Sequence, residues 1–145
     1  MCDETVAQLQ PANSQSAAST RILAVDDDES QLALLEHSLR KQGYSVTTAG
    51  TAAQARIAAM QHRIDLILLD LKLPDQEGFG LCAELADHPQ TCGVPIIVIS
   101  GLDGPDIVRQ ARAAGGSFYL RKPYDPSVVL ALIEQALRED TQIDW

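Results

Sequence analysis

The side chains best fitted to chemistry in this sequence stand where short apolar runs end. "ILAV" runs straight into Asp26, Asp27 and Asp28, and "LILL" runs into Asp70. "IIVI" ends on Ser100, and "FYLR" ends on Lys122, which Pro123 follows. Carboxylates that share a small volume repel and raise one another's pKa values. A hard divalent cation relieves that repulsion. Mg²⁺ takes few protein carboxylates, keeps several waters and accepts phosphate oxygens as further ligands. A carboxylate beside such an ion and a lysine can attack phosphorus, with metal and ammonium balancing the charge on the equatorial oxygens. A hydroxyl such as that of Ser100 could then bond one of those oxygens. Taken singly, each residue has a plainer use. Asp28 and Ser30 suit a helix N-cap, Lys122-Pro123 a loop, and Tyr119 a half-buried core position. The chemistry therefore depends on whether the four run ends meet.

The segments between those ends decide this. "RILAVD" is followed by Leu32, Leu35 and Leu39, which mark one face of a helix stopping near Gly43. "YSVTTA" has strand-favouring residues, and "TAAQARIAAMQHR" reads as a helix. "IDLILLD" precedes the helical "GFGLCAELADH", and "PIIVIS" precedes "PDIVRQARAAGG". "SFYLRKP" precedes "PSVVLALIEQALRED". Pro105 and Pro126 fall where proline is tolerated, in a first helical turn. The pattern is strand then helix, five times over. Near-continuous apolar strands indicate a parallel sheet covered on both faces. Right-handed crossovers then leave a doubly wound α/β sandwich. The carboxyl ends of its strands share one edge, where such sheets bind ligands. Asp26, Asp27, Asp70, Ser100 and Lys122 are expected there together.

Other features narrow the function. The 145 residues, 46% hydrophobic, suffice for one domain with a real core. No apolar run approaches a transmembrane length. "MCDETVAQLQ" is acidic and lacks the basic region of a signal peptide, so the chain is expected in the cytoplasm. The net charge of −9 argues against nucleic-acid binding. The odd count of three cysteines, Cys2, Cys82 and Cys92, lacks metal-ligand spacing, so reduced thiols are expected, and His37, His62 and His88 are scattered away from the acids. Residues 1–20 are read as a flexible N-terminal tail, with a helical turn in "ETVAQLQ". Residues 21–139 form the domain. Residues 140–145 are read as a C-terminal tail or the start of a linker.

The constellation resembles the receiver domain of bacterial two-component response regulators. The matching stretches are "VDDD" at 25–28, "LILLDLKLPDQEGFG" at 66–80, "IIVISG" at 96–101 and "YLRKP" at 119–123. The resemblance implies a flavodoxin-like (βα)5 sandwich whose five-stranded parallel sheet has order 2-1-3-4-5. It also implies roles for particular residues. Asp70 is the phosphoacceptor. Asp26, Asp27 and Asp70 hold Mg²⁺, or Mn²⁺ as the alternative ion. Asp27 is then a direct ligand, Asp26 acts partly through water, and Lys72 offers its backbone carbonyl. Lys122 pairs with phosphoryl oxygens across a cis bond to Pro123. Ser100 and Tyr119 are the switch hydroxyl and switch aromatic, and Pro74 and Gly78 belong to the loop after the acceptor. Two residues depart from the pattern. Gly101 stands where alanine is common, and Lys72 where a small or polar residue is.

The function expected from this is a phosphoacceptor module. A histidine kinase or histidine phosphotransfer protein supplies the phosphoryl group. The face of the fourth helix, fifth strand and fifth helix, with Arg109, Arg112, Arg121 and Asp125, repacks in response. The output is a downstream domain or protein, and the chain is a monomer or a homodimer through that face. It assists its own phosphorylation and dephosphorylation but turns over no outside metabolite. Two alternatives remain. A phosphatase with an aspartyl nucleophile would carry a second acid two residues on, where Lys72 stands. A receiver-like docking module that is not phosphorylated would not need the set Asp27, Asp70, Ser100 and Lys122.

Overall fold

The computed structural model describes residues 20–102 and 104–139. The expectations for residues 1–19, including the "ETVAQLQ" turn, and for residues 140–145 lie outside this range. Elements alternate as anticipated: β1 (Arg21–Val25), α1 (Glu29–Lys41), β2 (Ser45–Ala49), α2 (Ala52–Gln61), β3 (Leu66–Asp70), α3 (Gly78–Asp87), β4 (Ile96–Ser100), α4 (Pro105–Ala113), β5 (Phe118–Arg121) and α5 (Pro126–Glu139). The five strands are parallel in the order β2-β1-β3-β4-β5. This is the doubly wound, flavodoxin-like arrangement.

Strand alternation builds two cores. Leu23, Val25, Ile67, Leu69, Ile96 and Val98 face the side covered by α2, α3 and α4. Ile22, Ala24, Leu66, Leu68, Ile97 and Ile99 face α1 and α5. β3 and β4 are buried at every position because both faces are covered. Each fully buried branched side chain contributes about 1.5–3 kcal/mol of transfer free energy, so the centre of the sheet is its most stable part. The edge strands β2 and β5 are only partly buried. α2 approaches the sheet through Ala52, Ala55, Ala58 and Ala59. Cys82 is packed in the core as a free thiol, whereas Cys92 is disulfide-bonded, against the expectation of reduced thiols.

Two strand ends differ by one residue from the sequence reading. β1 closes at Val25, and Asp26 follows it with one ladder bond, its N–H donating to Ala49 O at 3.0 Å. β5 closes at Arg121, and Lys122 N–H donates to Ser100 O at 2.8 Å. In both places the backbone leaves the sheet as its side chain turns into the pocket. Asp28 caps α1, its carboxylate accepting from the N–H groups of Ser30 and Gln31.

Candidate functional site

The carboxyl edge of the sheet gathers residues from four strand ends. Ligand oxygens of Asp26, Asp27 and Asp70 all lie within 4.8 Å of one another. Asp26 and Asp70 are buried, and Asp27 stands exposed at the rim. Lys122 Nζ donates to Asp70 Oδ2 at 3.1 Å and to Asp26 Oδ2 at 3.2 Å. The peptide bond from Lys122 to Pro123 is cis, as expected from the sequence. Asp26 Oδ1 accepts from Asp28 N–H at 3.0 Å, and Asp70 Oδ1 from Lys72 N–H at 3.3 Å. Both inner carboxylates are thus held by one backbone donor and one ammonium.

One ammonium is not enough for three carboxylates. Burial lifts the Asp70 carboxyl to about 6; the Lys122 hydrogen bond opposes the rise and the charge of Asp26 adds to it. Burial alone would pull Lys122 down, but its hydrogen bond to Asp70 and the charges of Asp70 and Asp26 outweigh that and hold it above the usual lysine value. The pocket is short of positive charge, which is the condition that a hard cation would meet.

Ser100 is almost completely buried at the end of β4, beside the pocket. Its Oγ accepts from Leu102 N–H at 2.9 Å. Tyr119 Oη donates to Leu102 O at 2.7 Å. The two residues expected to act as a switch therefore grip one loop residue from both sides. Sequence reasoning did not find Leu102, because its role is carried by backbone atoms alone.

Lys72 is exposed at the mouth of the pocket, and its backbone pairs with Glu77 in an antiparallel bridge. Gly78 explains why the loop between them can close. A Cβ there would lie 2.3 Å from the Leu71 Cα, and Gly78 N–H donates to Leu71 O at 2.8 Å. Asp75 in the same loop accepts from Ala52 and Ala53 N–H at 2.8 and 3.0 Å, capping α2. Tyr124 was also missed. Its hydroxyl is raised by burial and then by the charge of Asp26, with Lys122 opposing and Asp70 adding. It borders the pocket two residues past Lys122, and an aromatic so near a pocket lysine was the available signal.

Known proteins carry the same pattern. A family model for the response regulator receiver domain matches residues 22–134. Response regulator PleD of Caulobacter vibrioides is 37% identical over 126 residues, covering 87% of this chain and 28% of PleD. The DNA-binding regulator RpaA of Synechocystis is 33% identical, covering 85% of this chain and 51% of RpaA. The chain thus spans between about a quarter and a half of these relatives. A CheY-like receiver domain structure from Methanospirillum hungatei superposes with a TM-score of 0.81 at 30% identity, covering 87% of this chain and 99% of that one.

Proposed function

The chain belongs to the response regulator receiver domain family, and from that premise we propose that Asp70 accepts a phosphoryl group from the phosphohistidine of a histidine kinase or histidine phosphotransfer protein. The observation that carries the reading is the set of three carboxylates within 4.8 Å, two of them bridged by Lys122. An ionised Asp70 oxygen attacks phosphorus. The P–N bond breaks, the histidine nitrogen leaves with its electron pair, and an acyl phosphate forms. With its carboxyl near 6, Asp70 is mostly ionised at neutral pH. Lys122 moves from the Asp70 oxygen to the phosphoryl oxygens.

The donor set suits Mg²⁺ or Mn²⁺, since it offers hard carboxylate oxygens and lacks positive charge. Asp26, Asp27 and Asp70, with the Lys72 carbonyl, would hold the ion. When bound, it supplies charge that lets the carboxylates coexist and balances the phosphoryl oxygens.

Ser100 Oγ accepts from Leu102 N–H, and a side-chain rotation that turns the hydroxyl toward a phosphoryl oxygen would release that bond. That frees the loop residue whose carbonyl holds Tyr119, and the ring can then turn inward. A local charge event thereby shifts a two-state element. The face of α4, β5 and α5, with Arg109, Arg112, Arg121 and Asp125, carries the change to an output domain, a target protein or a second copy. The switch unit is residues 21–139. It acts in the cytoplasm and as a regulator, with no outside metabolite turned over.

Beryllofluoride, a tetrahedral phosphoryl mimic, tests this by 19F NMR in the presence of Mg²⁺. Wild type should show bound fluorides that vanish with chelator and in Asp70→Asn. An empty spectrum for wild type would instead support a docking module that is not phosphorylated.

A further inference from the structure

We propose that Asp75 is a positioning residue for the metal site: by fastening the loop after β3 to the first turn of α2, it sets where the Lys72 carbonyl stands and so how well the pocket selects Mg²⁺ over a larger cation. This rests on the reading of the pocket given above and adds a residue to it.

Asp75 is exposed, five residues past Asp70, and is not one of the three clustered carboxylates. Both of its oxygens are engaged by backbone. Oδ1 accepts from Ala52 N–H at 2.8 Å and Oδ2 from Ala53 N–H at 3.0 Å. Those bonds, chiefly the one from Ala52, hold its carboxyl below the ordinary value, so it is ionised at neutral pH. α2 has a cap of its own. Thr51 Oγ1 accepts from Gln54 N–H at 3.0 Å, and Gln54 Oε1 accepts from Gly50 N–H at 2.8 Å. The turn into α2 thus closes on itself. The Asp75 bonds, 23 and 22 residues long in sequence, join that turn to another element.

The same turn meets the pocket from its other side. Asp26 N–H donates to Ala49 O at 3.0 Å, and a Cβ on Gly50 would lie 3.8 Å from Asp26 O. The entrance to α2 is therefore a shared footing, with the backbone of Asp26 on one side and the loop that carries Lys72 on the other. That loop is closed at its base, where Lys72 bridges to Glu77 and Gly78 N–H donates to Leu71 O at 2.8 Å. A closed loop moves as one piece, so fastening its tip at Asp75 fixes Lys72 at its base. Gln76 also bonds Arg56, but that bond joins two long side chains with many rotamers. Asp75 grips backbone N–H groups that cannot swing away.

Ion choice is where such positioning shows. Mg²⁺ demands near-ideal octahedral geometry at about 2.0–2.1 Å, whereas Ca²⁺ accepts oxygens at about 2.3–2.6 Å in a flexible shell. A displaced carbonyl penalises Mg²⁺ more than Ca²⁺. Loss of one negative charge near the pocket would weaken both ions alike.

The test is titration of the metal-free full chain with Mg²⁺ and, separately, with Ca²⁺, following the Asp27 and Lys72 amide peaks by 15N NMR. Wild type, Asp75→Asn and Thr51→Ala are compared, and urea midpoints are measured for all three. Asp75→Asn should bind Mg²⁺ roughly tenfold more weakly, the low end for outer partners of metal ligands, and Ca²⁺ with a clearly smaller loss. Thr51→Ala should lower the urea midpoint, since it removes the helix's own cap, yet bind both ions as wild type does. Three results overturn the proposal while wild type still binds Mg²⁺: unchanged affinity in Asp75→Asn, equal losses for the two ions, or an equal Mg²⁺ loss in Thr51→Ala. Wild type that binds no Mg²⁺ would overturn the metal site itself, and this inference with it.

Discussion

Asp70 is the residue on which the pocket's charge balance turns. Its carboxyl titrates near 6 in the fold, against 3.8 for the ordinary group. Between those values the folded state holds more protons than the unfolded one. Stability contributed at this site therefore falls as pH rises through that window, and a penalty persists above it. Asp70→Asn removes the ionisation. In metal-free buffer the variant should be more stable than wild type at pH 7 by about 1–3 kcal/mol, and the gap should close near pH 4. Thermal melts at both values check this, and a gap of equal size at both would contradict it. The acids and Lys122 were visible in the sequence because each ends an apolar run. Tyr124 and Leu102 were not, since one acts through a half-buried hydroxyl and the other through backbone atoms. Leu102 leaves no mark in residue type, and the one mark of Tyr124 is an aromatic two residues past the pocket lysine.

Among the elements, the loop between β3 and α3 does most to hold the site. Gly78 lets that loop fold against Leu71, directly after Asp70, where a Cβ would come within 2.3 Å of backbone. Gly78→Ala should cost about 1–3 kcal/mol, because rigid backbone has to move. Urea denaturation reads this directly, and an unchanged midpoint would show that the close approach is not needed. Asp75 in the same loop caps α2, with its carboxyl lowered chiefly by the bond from Ala52 N–H. Arg56 of α2 bonds Gln76, which ties that helix to the loop a second time. The strands and helices themselves were legible from periodicity and proline positions. The ties between the loop and α2 were not, because they join residues more than a helix apart in sequence. The ends of β1 and β5 were each read one residue long, since an apolar run does not show where backbone pairing stops and a side chain turns inward.

For the whole molecule, the order β2-β1-β3-β4-β5 is what turns scattered residues into a site. Parallel strands put every carboxyl end on one edge, so β1, β3, β4 and β5 deliver Asp26, Asp70, Ser100 and Lys122 to one pocket. Alternation had implied a doubly wound sheet, and the resemblance carried by four motifs supplied the strand order. The central claim is that this pocket makes an acyl phosphate on Asp70. Its most direct test is intact-mass analysis after incubation with acetyl phosphate and Mg²⁺, comparing wild type with Asp70→Asn and with a chelated sample. The expected result is a gain of one phosphoryl group by wild type alone, lost when the metal is removed. An adduct that forms equally in Asp70→Asn, or that ignores the chelator, would contradict the account.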